Sequence, residues 1–164
     1  MVRSGTYDAV LCAALGKNDA PVMAVYEPVA AVILAAGGAQ RFGQPKQLLE
    51  FQGEALVHRA VRLALAAGYN PVRLVVGAHA AQSAAAVHDL VVEVVENVAW
   101  SNGQSTSVQA GLAGLPEWMG GVAFLLADQP FISLELLHAL RKRYAETLAS
   151  LVAPFCAGRR ATPT

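Results

Sequence analysis

The stretch AVILAAGGAQRFGQPKQLL, residues 31–49, sets an unbroken apolar run against small residues and then two cations. Together with Val29 and Ala30, the run reads as a strand over Val29–Ala35, and its continuous hydrophobicity predicts burial on both faces. Ala36, Gly37 and Gly38 follow, and Arg41 and Lys46 stand on either side of Phe42-Gly43-Gln44-Pro45. Small residues at a strand end let a ligand approach the main chain, where successive N–H groups form a nest for anionic oxygens. Arg41 and Lys46 bring full positive charge to the same spot. Taken alone, such a loop could equally be a tight turn with solvated cations, so the rest of the chain has to decide.

Beyond residue 49, short apolar runs alternate with longer amphipathic stretches. That is the pattern of βαβ units, an α/β fold around a mostly parallel sheet. Further strands are expected at Val72–Val76, Val91–Val95 and Val122–Leu126, with a weak fifth at Leu151–Ala153. Helices are expected over Glu54–Ala67, His79–Asp89, Ser105–Leu115 and Ser133–Ala149, the first stopped by Gly68 and the last capped by Ser133. Ligands on open α/β sheets bind beyond the carboxyl ends of the strands. The residues found there are Ala36-Gly37-Gly38, Gly77-Ala78-His79, Asn97 and Ala127-Asp128-Gln129-Pro130, four loops on one edge.

Two phosphate-binding patterns fail on these residues. Gly38 and Gly43 have P-loop spacing, but Gln44-Pro45-Lys46 follows where Lys and Ser or Thr are required. The glycines do not form G-x-G-x-x-G, and VRLVVGA (residues 72–78) ends without the carboxylate that holds a ribose hydroxyl pair, which disfavours a dinucleotide oxidoreductase.

LAAGGAQRFGQPKQLL (residues 34–49) resembles the signature L-A-A-G-x-x-x-R-F-G-x-P-K-Q-L-L of MobA-like nucleotidyltransferases. NVAWSNGQSTSVQAGL (97–112) is similar to that family's N-x-x-W-x-x-G-x-x-x-S segment, and FLLADQPFIS (124–133) to its metal-binding D-Q-P segment. The nearest subgroup is the molybdenum cofactor cytidylyltransferases, which join CMP from CTP to molybdopterin and release pyrophosphate. The resemblance implies a three-layer Rossmann-like fold, Mg²⁺ as cofactor, and CTP or another NTP and molybdopterin as partners. A molybdoenzyme receiving the cofactor would be a further partner.

By the family pattern, Leu34, Ala35, Ala36, Gly37 and Gly38 would border the nucleotide, Arg41 would neutralise the leaving phosphates, and Lys46 would stabilise the developing charge. Gly77, Ala78, Asn97, Gly103 and Ser107 would complete the nucleotide site, and Asp128 would hold the metal. The residue types suit the chemistry. A phosphate monoester attacking a triphosphate needs charge neutralisation and in-line positioning, because nucleophile and leaving group are both anionic. A guanylyltransferase would more often show Ala-Gly-Gly where this chain has Ala35-Ala36-Gly37. Other sugar- or alcohol-phosphate nucleotidyltransferases share the fold, and a non-catalytic nucleotide-binding protein is the alternative from another class. The likeness reaches LVAPFCAGRR (151–160), where family chains usually continue as Gly-Asn-Pro and on to a Gly-Asp segment supplying a second metal carboxylate. This chain reads Ala161-Thr162-Pro163-Thr164, which implies that the last part of the fold is missing.

Composition is that of a globular chain and argues against a polyanion partner. The 164 residues are 55% hydrophobic, and Lys+Arg and Asp+Glu are both 12, so no basic footprint for nucleic acid is expected. Cys12 and Cys156 lack metal-knuckle spacing and fit a reducing, cytoplasmic setting. Residues 1–28 are expected to be a poorly ordered N-terminal extension, neither signal peptide nor membrane span, and 29–164 the transferase domain. The four histidines lack metal spacing on any helix face. Among them, His58, His88 and His138 read as surface or packing residues, and His79 as a candidate for contact with the base. Trp100 and Trp118 read as packing residues.

Overall fold

A computed structural model describes residues 10–13, 22–25, 28–38, 40–41, 43–156 and 159–160. Its centre is a four-stranded parallel sheet of β1 (Val29–Ala35), β2 (Val72–Val76), β3 (Glu93–Glu96) and β4 (Gly121–Leu126), in the order β4-β1-β2-β3. Leu34 lies opposite both Leu126 and Val75, and Val76 opposite Glu96, so the carboxyl ends of all four strands align along one edge.

Successive side chains of a strand point to opposite faces, and β1 divides accordingly. Ala31, Ile33 and Ala35 join a core containing Val57, Val61 and Ala64 of α1 (Leu56–Ala66) and Leu137 of α4 (Leu134–Thr147). Val32 and Leu34 face the other way, with Val75, onto Val108 and Ala110 of α3 (Gln104–Leu112). The result is three layers, as the resemblance implies. A short α2 (Ala80–Ala85) joins the first face. α3 comes very close to the sheet, because a methyl group added at Gly111 would lie 2.3 Å from Cγ1 of Val32.

Arg73 is a buried charge in the middle of β2. Its guanidinium forks onto Glu93 at 2.8 and 3.0 Å and donates to the carbonyls of Gly111, Ala113 and Gly114. It thereby satisfies the orphan carbonyls at the end of α3 and places positive charge at the negative end of that helix.

Several boundaries differ from expectation. Glu54–Ala55 pairs antiparallel with Glu50–Phe51, so α1 starts only at Leu56. The helix after β2 spans Ala80–Ala85 rather than reaching Asp89. β3 begins at Glu93, not Val91. Residues 151–153 form no strand, so the expected fifth strand is absent there. Within the expected extension, Val10–Ala13 pairs antiparallel with Val22–Val25, apart from the main sheet. Among the described residues, no helix is long and apolar enough to cross a membrane.

His58 is more than a packing residue. Its Nδ1 lies 2.6 Å from Glu54 and its Nε2 3.1 Å from Asp89, while Arg62 grips Glu54 with two bonds of 2.8 Å. Partial burial disfavours the charged ring, but the hydrogen bonds to Glu54 and Asp89 outweigh it and raise the His58 pKa. The hydrogen bond from Arg62, with that from His58, lowers the Glu54 pKa from 4.5 to about 2. A raised histidine stabilises the fold fully below its ordinary value of 6.5, and the contribution is lost as pH rises through the folded value. A depressed carboxylate stabilises above its ordinary value of 4.5, and the contribution is lost as pH falls towards about 2. The clasp is therefore most stabilising between these two ordinary values. Because the outer partners Asp89 and Arg62 are open to solvent, at 54% and 44%, it is worth no more than about 1 kcal/mol. Thermal unfolding should show wild-type stability declining as pH rises past 6.5, with that slope flattened in His58→Gln.

Candidate active site

At the carboxyl edge of the sheet a cavity of about 240 Å³ opens between the ends of β1 and β4, the turn at 46–48 and the start of α3. Leu34, Ala36 and Gly37 form its β1 side, Leu126, Ala127 and Asp128 its β4 side, and Trp100, Gln104 and Ser107 its α3 side. Lys46 and Gln47 close it from the turn. The Lys46 Nζ stands 3.9 Å from Oδ2 of Asp128, and both side chains are partly open to solvent, at 32% and 42%.

Each wall has an identifiable support. Pro45 precedes the Lys46–Leu48 turn and pairs with Gln40, so Lys46 leaves a short hairpin rather than a mobile strand end. Gln47 is buried, and its Nε2 donates to the carbonyl of Ala35 at 3.3 Å, tying the turn to the end of β1. On the opposite side the Asn97 N–H continues the sheet onto the Val76 carbonyl at 2.8 Å. The Asn97 Nδ2 donates to both Thr106 Oγ1 and Ser107 Oγ at 2.9 Å, and its Oδ1 accepts from the Ala99 N–H. One amide thus fixes the start of α3 to the end of β3. Gly103 caps that helix at φ 112°, a conformation side chains resist.

Trp100 lies across two glycines. A methyl group at Gly38 would come within 2.8 Å of its ring, and one at Gly77 within 2.7 Å of both the Ala36 carbonyl oxygen and the Trp100 Cβ. Gly37, by contrast, is exposed and has nothing within 4 Å of the place a Cβ would occupy. Open space and bare backbone coincide at this residue.

Of the residues expected at the site, Leu34, Ala36, Gly37, Lys46, Ser107 and Asp128 line the cavity together. Ala35 serves as the acceptor for Gln47, and Gly38 and Gly77 lie beneath Trp100. Ala78 donates its N–H to the Ala36 carbonyl, and Asn97 and Gly103 shape α3 from behind. Arg41 is described only as backbone, in the strand Gln40–Arg41, and its side chain lies outside the described residues. Gln47, Trp100, Gln104, Leu126 and Ala127 line the cavity without having been assigned to it. Gln47 and Trp100 stand inside the quoted motifs, so their place there was the available signal. Ser133 caps α4 as expected, its Oγ accepting from the Leu136 N–H at 3.2 Å, which leaves Asp128 clear of that duty.

A cation and a carboxylate beside bare backbone can bind a phosphate chain and a divalent ion together. Among the described residues there is no cluster of three or more metal-ligating side chains. A lone, partly exposed carboxylate suits an ion such as Mg²⁺, which is commonly held by one or two carboxylates with phosphates and waters completing the shell.

The chain matches the family described as the MobA-like NTP transferase domain over residues 31–164. It is 34% identical to nicotine blue oxidoreductase of Paenarthrobacter nicotinovorans, across 77% of this chain and 59% of that protein. It is 25% identical to a probable molybdenum cofactor guanylyltransferase of Bacillus cytotoxicus, across 80% of this chain and 64% of that protein. Among solved structures it resembles Rv0371c from Mycobacterium tuberculosis H37Rv, with a TM-score of 0.66, 27% identity, and coverage of 75% of this chain and 63% of that one. The same protein solved in complex with manganese is similar at a TM-score of 0.58 and 27% identity, over 73% of this chain and 61% of that one. The chain thus spans somewhat under two thirds of the length of each of these relatives.

Proposed function

Because this chain belongs to the MobA-like nucleotidyltransferase family, we propose that it is a Mg²⁺-dependent transferase that moves CMP from CTP to molybdopterin and releases pyrophosphate. The observation that carries the proposal is the meeting of Lys46 and Asp128, 3.9 Å apart, at a cavity whose β1 side includes the open backbone of Gly37.

In this reading a phosphate oxygen of the acceptor attacks the α-phosphorus of the nucleotide. The new P–O bond forms as the bond to the bridging oxygen breaks, and its electron pair leaves with pyrophosphate. An ionised phosphate nucleophile has no proton to surrender, so a site without a general base suffices. Gly37 lets the phosphate chain lie against main-chain N–H groups. Lys46 gives point charge to the oxygens that become more negative as the bond breaks. Asp128 would hold the Mg²⁺, which when bound supplies further charge neutralisation to the phosphates. Arg41 is assigned to the leaving phosphates by its place in the motif.

The preference for cytosine rests on Ala36. It lines the cavity at the position where a guanylyltransferase would more often carry glycine. The guanylyltransferase likeness keeps GTP as the competing substrate. A redox role on the same domain is a second reading, favoured by the 34% identity with a protein named as an oxidoreductase.

A thermal-shift panel of CTP, GTP, ATP, UTP and reduced nicotinamide dinucleotides, each with Mg²⁺, separates the three. Ligand at a hundred times its dissociation constant adds about 2.7 kcal/mol, enough to read. CTP should give the largest shift. A larger shift with GTP would replace cytidylyl by guanylyl transfer, and a shift with the dinucleotides alone would favour the redox reading.

A further inference from the structure

We propose that Arg59 is the positioning residue of the Asp128 loop, one guanidinium on α1 that holds the backbone presenting the metal-binding carboxylate. The inference rests on the role given to Asp128 above. The Arg59 Nε donates to the Pro130 carbonyl at 3.3 Å and its guanidinium reaches the Ile132 carbonyl at 3.5 Å. Those two carbonyls flank Phe131, whose side is 86% exposed. Phe131 meets the ring of Phe51 edge-on, with centroids 5.8 Å apart and planes at 77°. The guanidinium of Arg59 in turn lies 5.5 Å from the centroid of Phe51. One cation therefore reaches the loop twice, directly through two carbonyls and indirectly through the aromatic pair.

The location is what makes this contact bear on the reaction. The loop is fixed at its near end by β4, which stops at Leu126, and at its far end by Ser133, the cap of α4. Asp128 stands between: Ala127 before it is held by its N–H to the Leu34 carbonyl at 3.2 Å, and the residues after it are restrained by Arg59. A planar fork is pre-organised to serve both carbonyls at once, whereas a lysine ammonium is a strongly hydrated point charge without that fixed geometry. An ångström of misplacement at a reacting centre can cost about a hundredfold in rate, so a restraint on the middle of this loop has catalytic weight.

The test uses the full chain, with CTP affinity measured by calorimetry in Mn²⁺ and in EDTA, the Mn²⁺ paramagnetic resonance spectrum, and thermal unfolding. In the wild type CTP should bind more tightly with Mn²⁺ than in EDTA. Arg59→Gln should weaken the Mn²⁺-dependent affinity by about 10- to 100-fold, as loss of a ligand-orienting partner typically does, and broaden the Mn²⁺ spectrum, while affinity in EDTA stays unchanged. Arg59→Lys should recover part of the loss. Phe51→Leu, which removes the aromatic arm and keeps the cation, should show a smaller loss in the same medium, and it stands as the test if Arg59→Gln does not fold.

Wild-type Mn²⁺ dependence retained in both Arg59→Gln and Phe51→Leu would overturn the positioning role alone. Equal losses in Mn²⁺ and EDTA with a lowered melting temperature would also overturn it, as the mark of a merely structural residue. A wild-type chain that binds CTP no better with Mn²⁺ would instead overturn the role of Asp128, and the inference with it.

Discussion

Replacing Lys46 with alanine should lower nucleotidyl transfer, read as pyrophosphate release, by about 10²- to 10³-fold, the usual loss when one preorganised charge is taken from a transition state. The fold should be unaffected. Lys46 sits in a short turn, its side chain is 32% exposed, and its one ion pair among the described residues is the 3.9 Å approach to Asp128. Exposed pairs of this kind contribute about 1 kcal/mol at most, so the melting temperature should barely move. CMP, which lacks the leaving phosphates, should bind the variant as it binds the wild type. Near-normal pyrophosphate release by Lys46→Ala would show that the triphosphate does not lie in this cavity.

Asp128→Asn should abolish the coupling between Mg²⁺ and nucleotide. The substitution keeps shape and removes charge at a side chain that is 42% exposed, so the expected change in stability is within about 0.5 kcal/mol. With one carboxylate at the site and phosphates supplying other ligands, the wild type should bind Mg²⁺ weakly alone and well with CTP. In Asp128→Asn calorimetry should show the same CTP affinity with and without Mg²⁺. Because Lys46 and Asp128 face each other, the double variant should lose less than the two single losses combined. Tight Mg²⁺ binding without nucleotide, or unchanged coupling in the asparagine variant, would place the metal elsewhere.

The two central strands were legible because burial on both faces leaves a mark that polar neighbours cannot blur, whereas β3 is mostly exposed and β4 only partly buried. Val29–Ala35 and Val72–Val76 appear with the expected ends, and the strand expected at Val122–Leu126 gains only Gly121. The errors fall where apolar content and strand pairing part company. Val91 is apolar yet exposed, and Leu151 likewise, because an apolar residue joins a sheet only where a neighbouring strand offers backbone partners. Glu54 was assigned to a helix because its surroundings are amphipathic, whereas its backbone is taken by the pairing of Phe51 with Glu54. At the cavity, Leu34, Ala36, Gly37, Lys46, Ser107 and Asp128 of the expected set come together. Arg59 was invisible as anything but a polar helix position, since its carbonyl partners lie 71 and 73 residues away in the chain.

The packing of Trp100 over Gly38 and Gly77 also sets how this site can change over generations. Loops beside a binding site ordinarily absorb substitutions one at a time. Here three loops share one interlock, so a larger residue at either glycine is blocked until the indole shrinks, and at Gly77 the Ala36 carbonyl blocks it still. A library that randomises these positions singly should return almost only the parental residues. Randomised together, Gly38 should accept alanine in company with a smaller residue at 100, while Gly77 stays glycine. New substrate preferences should therefore arise through Gln104, which borders the cavity outside the interlock, before they arise through Trp100.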